Sequence, residues 1–84
     1  MLRSDLKIKK ILIANRSDVV LRIQHTCHAL GIKTVAIYSA EDMFSSFVYK
    51  ADEAYRLSKS GFAAYVDQEE IISLALQAKV DART

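Results

Sequence analysis

His25, Cys27 and His28 stand close together, and their types most readily suggest metal or nucleophilic chemistry. At i, i+3 on a helix the two histidines share a face, while Cys27 turns toward another. A zinc site needs three or four convergent ligands, and the chain has no other His or Cys. The histidines therefore read as a solvent-facing pair, not as ligands. Cys27 falls mid-helix on the apolar side, where a thiol is inert, since a reactive thiolate needs an electropositive and partly open setting. A single cysteine also excludes an internal disulfide and fits a reducing compartment.

The turn Asn15-Arg16-Ser17-Asp18 occupies a second place where chemistry is expected, between a strand and a helix. α/β folds bind ligands there, beyond the carboxyl ends of their strands. A dinucleotide site would carry Gly-x-Gly-x-x-Gly, because pyrophosphate must approach the backbone closely. This turn has no glycine, and Asp18 would repel phosphate from the helix N-terminus. No dinucleotide site is expected. The acidic pairs Glu41-Asp42, Asp52-Glu53 and Glu69-Glu70 are sequence neighbours, so neither pair member shares a face with the other. The first two read as solvated loop edges, and the third as favourable charge at a helix start.

Basic residues give no stronger signal. The net charge is +2 and the lysines and arginines are scattered. The densest stretch, Lys7, Lys9 and Lys10, is interrupted by Ile8 and runs into a strand. Nucleic-acid recognition needs a broader basic face, so a nucleic-acid partner is not expected. Phe44, Phe47, Tyr49, Tyr55, Phe62 and Tyr65 form no stacking platform, and core filling is the role expected of most of them. The residues, taken alone, assemble no active site.

The elements that must position these residues follow from hydrophobic pattern. Lys10-Ile11-Leu12-Ile13-Ala14-Asn15 is a short apolar run of the kind buried on both faces of a parallel sheet. Ser17 is placed to cap a helix, with Asp18 in its first turn. Val19, Val20, Ile23, Cys27 and Leu30 recur at helical spacing as its apolar stripe, and Arg22, His25 and His28 lie on a polar face. Gly31 should end the helix. Thr34 to Ser39, rich in β-branched residues, is the next strand, which completes a right-handed βαβ unit. Met43 to Ala51 reads as a short helix, and Ala54 to Leu57 as a third strand at a sheet edge. Ser58 to Ala64 reads as a loop. A last helix begins near Asp67, with Ile71, Ile72, Ala75 and Leu76 as its core face. Ala78 to Ala82 approaches another strand, but Arg83-Thr84 cut it short. The expected architecture is a small Rossmann-like parallel sheet with flanking helices, truncated before a further strand.

Length and composition bound the rest. The 84 residues make one domain, 1–84, with residues 1–7 expected to be flexible. Apolar residues are 51% and charged residues 26%, an ordinary globular balance. The two glycines and absent prolines force turns onto Ser, Asp, Asn and Lys. The N-terminus lacks the apolar core of a signal peptide, and no apolar run approaches the ~20 residues of a membrane helix. A cytoplasmic location without membrane contact is expected.

The order of these pieces resembles the biotin carboxylase family. Lys10-Ile-Leu-Ile-Ala-Asn-Arg16 is similar to its opening K-I-L-I-A-N-R-G-E-I-A. Arg22-Ile23, Thr26-Cys27 and Leu30 to Ser39 follow R-I-x-x-T-C-x-x-L-G-I-x-T-V-A-V-Y-S. Ala51-Asp52-Glu53-Ala54 resembles L-A-D-E-A, and Tyr65-Val66-Asp67 with Ile71-Ile72 resembles Y-L-N-x-x-x-I-I. The likeness runs from residue 8 to 82 in register, apart from a shortening of about one residue near Gly61.

This resemblance implies a preATP-grasp domain opening a larger ligase that uses ATP, Mg²⁺ and bicarbonate to carboxylate biotin on a carrier protein. The family's phosphate loop, metal-binding glutamates and bicarbonate-binding arginine lie in later domains. Its H-P-G-Y-G segment is expected after Ala82, where Arg83-Thr84 stand. The resemblance therefore implies a scaffold, inactive alone, whose partners are the ATP-grasp and C-terminal domains and the biotin carboxyl carrier. A eukaryotic parent would place it in the mitochondrial matrix.

Asn15, Arg16 and Arg22 match family positions, and with His25 they are the candidate interdomain or dimer-interface residues. The family's dimer helix carries an Arg and a Glu where His25 and Ala29 stand. Ser17-Asp18-Val19-Val20 replace its G-E-I-A. A free-standing interaction module derived from the family, or a small nucleotide-binding Rossmann-like protein, are the alternative readings. An apolar patch on the folded surface would favour the scaffold over the module.

Overall fold

The computed structural model describes residues 8–84, so the flexibility expected of residues 1–7 lies outside the described residues. Four strands form one parallel sheet: β1 (Lys10–Ile13), β2 (Lys33–Tyr38), β3 (Glu53–Arg56) and β4 (Ala82–Arg83). The helices are α1 (Asp18–Ala29), α2 (Ser46–Lys50), α3 (Gly61–Tyr65) and α4 (Gln68–Ala78), with a 3₁₀ turn over Ala40–Asp42. Strand order is β3-β2-β1-β4. The chain steps outward twice from β1, then crosses back to lie on its other side. Ala78 to Ala82 thus reaches its strand within the chain, pairing Ile11 with Ala82 and Leu12 with Arg83.

Alternation along the central strands separates two cores, because successive side chains leave opposite faces. Leu12, Val35 and Ile37 pack with Leu57, Ala64, Ile71 and Ala78, beneath α3 and α4. Ile13 and Ala36 pack with Val20 and Phe47, beneath α1 and α2. The result is a three-layer α/β/α sandwich. Each fully buried Leu, Ile or Val contributes roughly 1.5–3 kcal/mol from removal of apolar surface, so even a thin sheet holds both layers.

The helix faces differ from the sequence expectation in a regular way. On α1 the buried positions are Val20, Gln24 and Cys27, whereas Val19 and Leu30 are exposed. Val20 and Cys27 of the expected stripe lie on the sheet with Gln24, at i, i+4, i+7, and the remaining members lie beside them. Gln24 belongs there because its Nε2 donates to the Phe47 carbonyl at 2.7 Å. That carbonyl belongs to the five-residue helix α2, too short to satisfy its own C-terminal carbonyls. On α4 the core side is Ile71, Leu74, Ala75 and Ala78, while Ile72 and Leu76 face outward. The expected run of 71, 72, 75 and 76 mixed two adjacent stripes.

Three further expectations change. Residues 61–64 were expected within a loop but belong to α3, entered through Gly61 at φ 63°. Of the aromatics, only Phe47 is buried; Phe44, Tyr49 and Phe62 are exposed, and Tyr55 and Tyr65 are partly buried against the core. Glu41-Asp42 is not a solvated edge throughout, because Asp42 is buried. By contrast Asp67 caps α4 as expected, its Oδ1 accepting the Glu70 N–H at 3.2 Å.

Candidate functional site

The carboxyl edge of the sheet is built by three turns, and Asp42 is where they meet. The turn after β1 brings Arg16, whose Nη2 donates to Asp42 Oδ1 at 2.8 Å. The segment after β3 brings Tyr65, whose hydroxyl donates to Asp42 Oδ2 at 2.6 Å. The Ser39 N–H, just after β2, donates to the same Tyr65 oxygen at 3.0 Å. The Arg16 guanidinium lies 5.2 Å from the Tyr65 ring centroid, within cation–π range. Burial first, and the Asp42 hydrogen bond second, push the Tyr65 hydroxyl above its ordinary pKa.

This network leaves the edge unsuited to a nucleotide. Arg16, the nearest cation, is spent on Asp42. Asp18 occupies the first turn of α1, where it opposes phosphate. Ser17 sits at the N-cap position with φ 84° and ψ −163°, and its hydroxyl makes no capping bond. The expected Ser17 cap is therefore absent, because this backbone turns the side chain away from the helix amides. ATP phosphates do not fit this turn. Nor is Mg²⁺ provided for: among the described residues no three His, Cys, Asp or Glu side chains converge. His28 instead lies 3.8 Å from the Asp52 carboxylate. Cys27 is buried, and burial pushes its thiol pKa up, away from nucleophilic use.

The structure distributes the candidate interface residues over three places. Asn15 and Arg16 stand at the carboxyl edge, where Asn15 Oδ1 accepts the Arg16 N–H at 2.8 Å. Arg22 lines an apolar groove of about 410 Å³ with Val19, Ile23, Thr26 and Cys27. His25 lines a second depression on the α2 side of α1, with Leu21, Gln24, His28 and Lys50. Sequence reasoning missed Ser39, Asp42 and Tyr65. The i, i+3 spacing of Ser39 and Asp42 around a tight turn was the available signal, and nothing local linked it to Tyr65.

The opposite, amino edge is also cross-tied. Lys10 Nζ bonds Glu53 Oε2 at 2.6 Å and the Ala78 carbonyl at 3.0 Å. Tyr55 donates to the other Glu53 oxygen at 2.8 Å. The Lys10 bond, then the Tyr55 bond, hold the Glu53 carboxyl below the usual range.

Fold and site together define a class: a doubly wound α/β domain whose carboxyl edge holds a depression of about 300 Å³ lined by Arg16, Asp18 and Asp42, with no glycine in the turn where α/β folds bind phosphate. The family follows from comparison with known proteins. The model of the biotin carboxylase N-terminal domain matches residues 7–83, and the chain belongs to that family. It is 48% identical over 81 residues to pyruvate carboxylase of Bacillus subtilis, covering 94% of this chain and 7% of the relative. It is 48% identical over 75 residues to biotin carboxylase of Halalkalibacterium halodurans, covering 88% and 17%. The biotin carboxylase domain dimer of Hydrogenobacter thermophilus 2-oxoglutarate carboxylase, solved with MgADP and bicarbonate, superimposes with a TM-score of 0.87 at 38% identity. That match covers 90% of this chain and 17% of the solved one. The chain therefore spans a small fraction of the carboxylases it resembles.

Proposed function

We propose that this domain is the non-catalytic N-terminal scaffold of an ATP-dependent biotin carboxylase, packing against an ATP-grasp body and walling one side of its cleft. The observation that carries this reading is the apolar exterior. Leu30, Phe44, Phe62 and Leu76 are 68%, 77%, 78% and 75% exposed. Ile72 and Leu76 form one outward stripe on α4, and Val19 and Leu30 are exposed on α1. Neighbouring apolar side chains exposed on one helix face mark an interaction surface, so the α4 stripe favours a body that covers it. In the parent, ATP, Mg²⁺ and biotin serve the reaction from other domains, and this chain supplies none of their ligands. A carrier protein presents the biotin, and the parent works as a dimer. Its compartment is the cytoplasm, or the mitochondrial matrix of a eukaryote, in keeping with the single reduced cysteine.

Calorimetric titration of the chain with Mg·ATP, alongside a bicarbonate-dependent ATPase assay, tests its inactivity. No heat and no turnover are expected, and micromolar ATP binding overturns the reading. Adding the chain to a biotin carboxylase lacking the matching segment tests the scaffold role. Recovery of bicarbonate-dependent ATP hydrolysis is expected with the native chain, and much less with Leu76→Glu. Equal recovery by both would remove the α4 face from the docking surface.

A further inference from the structure

The amino edge of the sheet gathers lysines. Lys9, Lys10, Lys33 and Lys79 line one depression of about 490 Å³, with Gly31 and Asp81. They arrive from distant parts of the chain. Lys10 and Lys33 are register partners on β1 and β2, and Lys79 is the left-handed residue that ends α4. Parallel topology alone brings these three starts and ends to one edge.

Two of the charged groups are already committed. Lys10 is held by Glu53 and the Ala78 carbonyl. Asp81 Oδ2 accepts the N–H groups of Lys9 and Lys10, at 2.9 and 3.0 Å. The ammoniums of Lys9, Lys33 and Lys79 remain, Lys33 within the field of the Glu53 carboxylate but not bonded to it. Among the described residues none of the three forms an ion pair.

The negative ends of α1 and α4 also reach this edge and are the first explanation for positive charge there. Most of their terminal carbonyls are nevertheless occupied without these three side chains. Thr26, Cys27 and His28 carbonyls accept from the Leu30, Gly31 and Ile32 amides. Ala75 and Leu76 accept from the Val80 and Lys79 amides, and Ala78 accepts from Lys10. Helix capping therefore does not use up the three ammoniums. Beside Gly31, at φ 74°, the direction a side chain would take is open space.

We propose that this amino-edge depression binds a small molecule carrying two or more phosphates in series, through the ammoniums of Lys9, Lys33 and Lys79. Each ammonium is a compact charge with three donors, which suits phosphate oxygens arriving from different directions. The space exceeds that of a single phosphate ion. Its lining includes no aromatic ring to stack a base, so recognition rests on the phosphate chain. The site is independent of the carboxylase assignment.

The test is an amide-resolved NMR titration of the 84-residue chain with inorganic pyrophosphate, to about 10 mM at low salt, beside sodium chloride of equal ionic strength. Saturable shifts at Gly31, Lys33 and Lys79 are expected with pyrophosphate and not with chloride. Lys33→Gln and Lys79→Gly should each weaken binding several-fold, and together about tenfold or more. Lys79→Gly also relieves a left-handed backbone, φ 59°, so its melting temperature should rise while its affinity falls. That pairing separates lost binding from lost folding. Shifts that chloride reproduces, or an affinity unchanged in the double variant, would overturn the site.

Discussion

Tyr65 and Asp42 are joined by a 2.6 Å hydrogen bond that ties the segment after β3 to the turn after β2. The same hydroxyl accepts the Ser39 N–H, so one oxygen holds both ends of that turn. Tyr65→Phe leaves the amide without this acceptor and a carboxylate oxygen short of its donor. A loss of about 1–3 kcal/mol is expected in urea unfolding. The raised Tyr65 pKa adds a pH signature. The contribution is fully present below the unfolded value, 10.0, and is lost as pH rises through the higher folded value. Alkaline unfolding of the native chain should carry this component, and that of Tyr65→Phe should lack it.

On the acid side the sign reverses. Glu53 is held below its ordinary pKa first by its bond to Lys10, and Asp67 first by its bond to Lys59. Both contributions are present above the unfolded values, 4.5 and 3.8, and fade as pH falls through the lower folded values. Glu53→Gln should flatten the acid limb of a stability-versus-pH curve; an unchanged limb would assign it to other carboxylates.

Ser17 holds a conformation that only glycine adopts without cost, at φ 84° and ψ −163°. The family pattern has glycine at this place, so the serine is a local departure accommodated by its surroundings. Ser17→Gly should stabilise the chain by about 1 kcal/mol, the relieved strain exceeding the added unfolded-state entropy. Ser17→Ala keeps the Cβ and should bring no such gain. Thermal melts of the two variants separate strain from any role of the hydroxyl.

Gln24 is buried, with Nε2 on the Phe47 carbonyl and Oε1 unpartnered among the described residues. Gln24→Glu sets a carboxylate against that carbonyl in a dry interface. A loss of about 3 kcal/mol is expected at neutral pH. Burial would raise the new carboxyl's folded pKa, so stability should recover as pH falls and the protonated acid regains a donor. Chemical denaturation at pH 7 and at pH 4 reads both limbs.

How far the sequence could be read follows from the range of the interactions involved. The βαβ unit, the edge position of β3 and the Asp67 cap rest on neighbours in sequence, and all three were legible. The faces of α1 and α4 were only half legible. Both helices carry two adjacent apolar stripes, and choosing between them requires knowing what lies opposite. Asp42 could not be recognised because its partners, Arg16 and Tyr65, lie 26 and 23 residues away. The lysines of the amino edge were unremarkable for the same reason.

The two stripes of α4 make opposite demands on mutation. Ile71→Ala should cost about 2–4 kcal/mol, since it empties a fully buried site. Leu76→Glu, on the exposed stripe, should change stability by less than about 0.5 kcal/mol. Circular dichroism melts of both variants check this; a large loss from Leu76→Glu would mean that its side chain is covered in the isolated chain.

The position of β4 beside β1 also fixes an order of events. β1 and β2 are joined by one helical crossover, and β2 and β3 by the 3₁₀ turn and α2, so these pairings close shorter loops than β1–β4 and should form earlier. β4 must wait for the segment beyond α4, because the Asp81 carboxylate meets the Lys9 and Lys10 amides across 72 and 71 positions. During synthesis β1 therefore leaves the ribosome long before its second neighbour is made, with one margin unpaired. Native-state hydrogen exchange should run in reverse: the amides of Asp81 and Thr84, bonded to Lys10 and Leu12, are expected to exchange before those of the β1–β2 pairing.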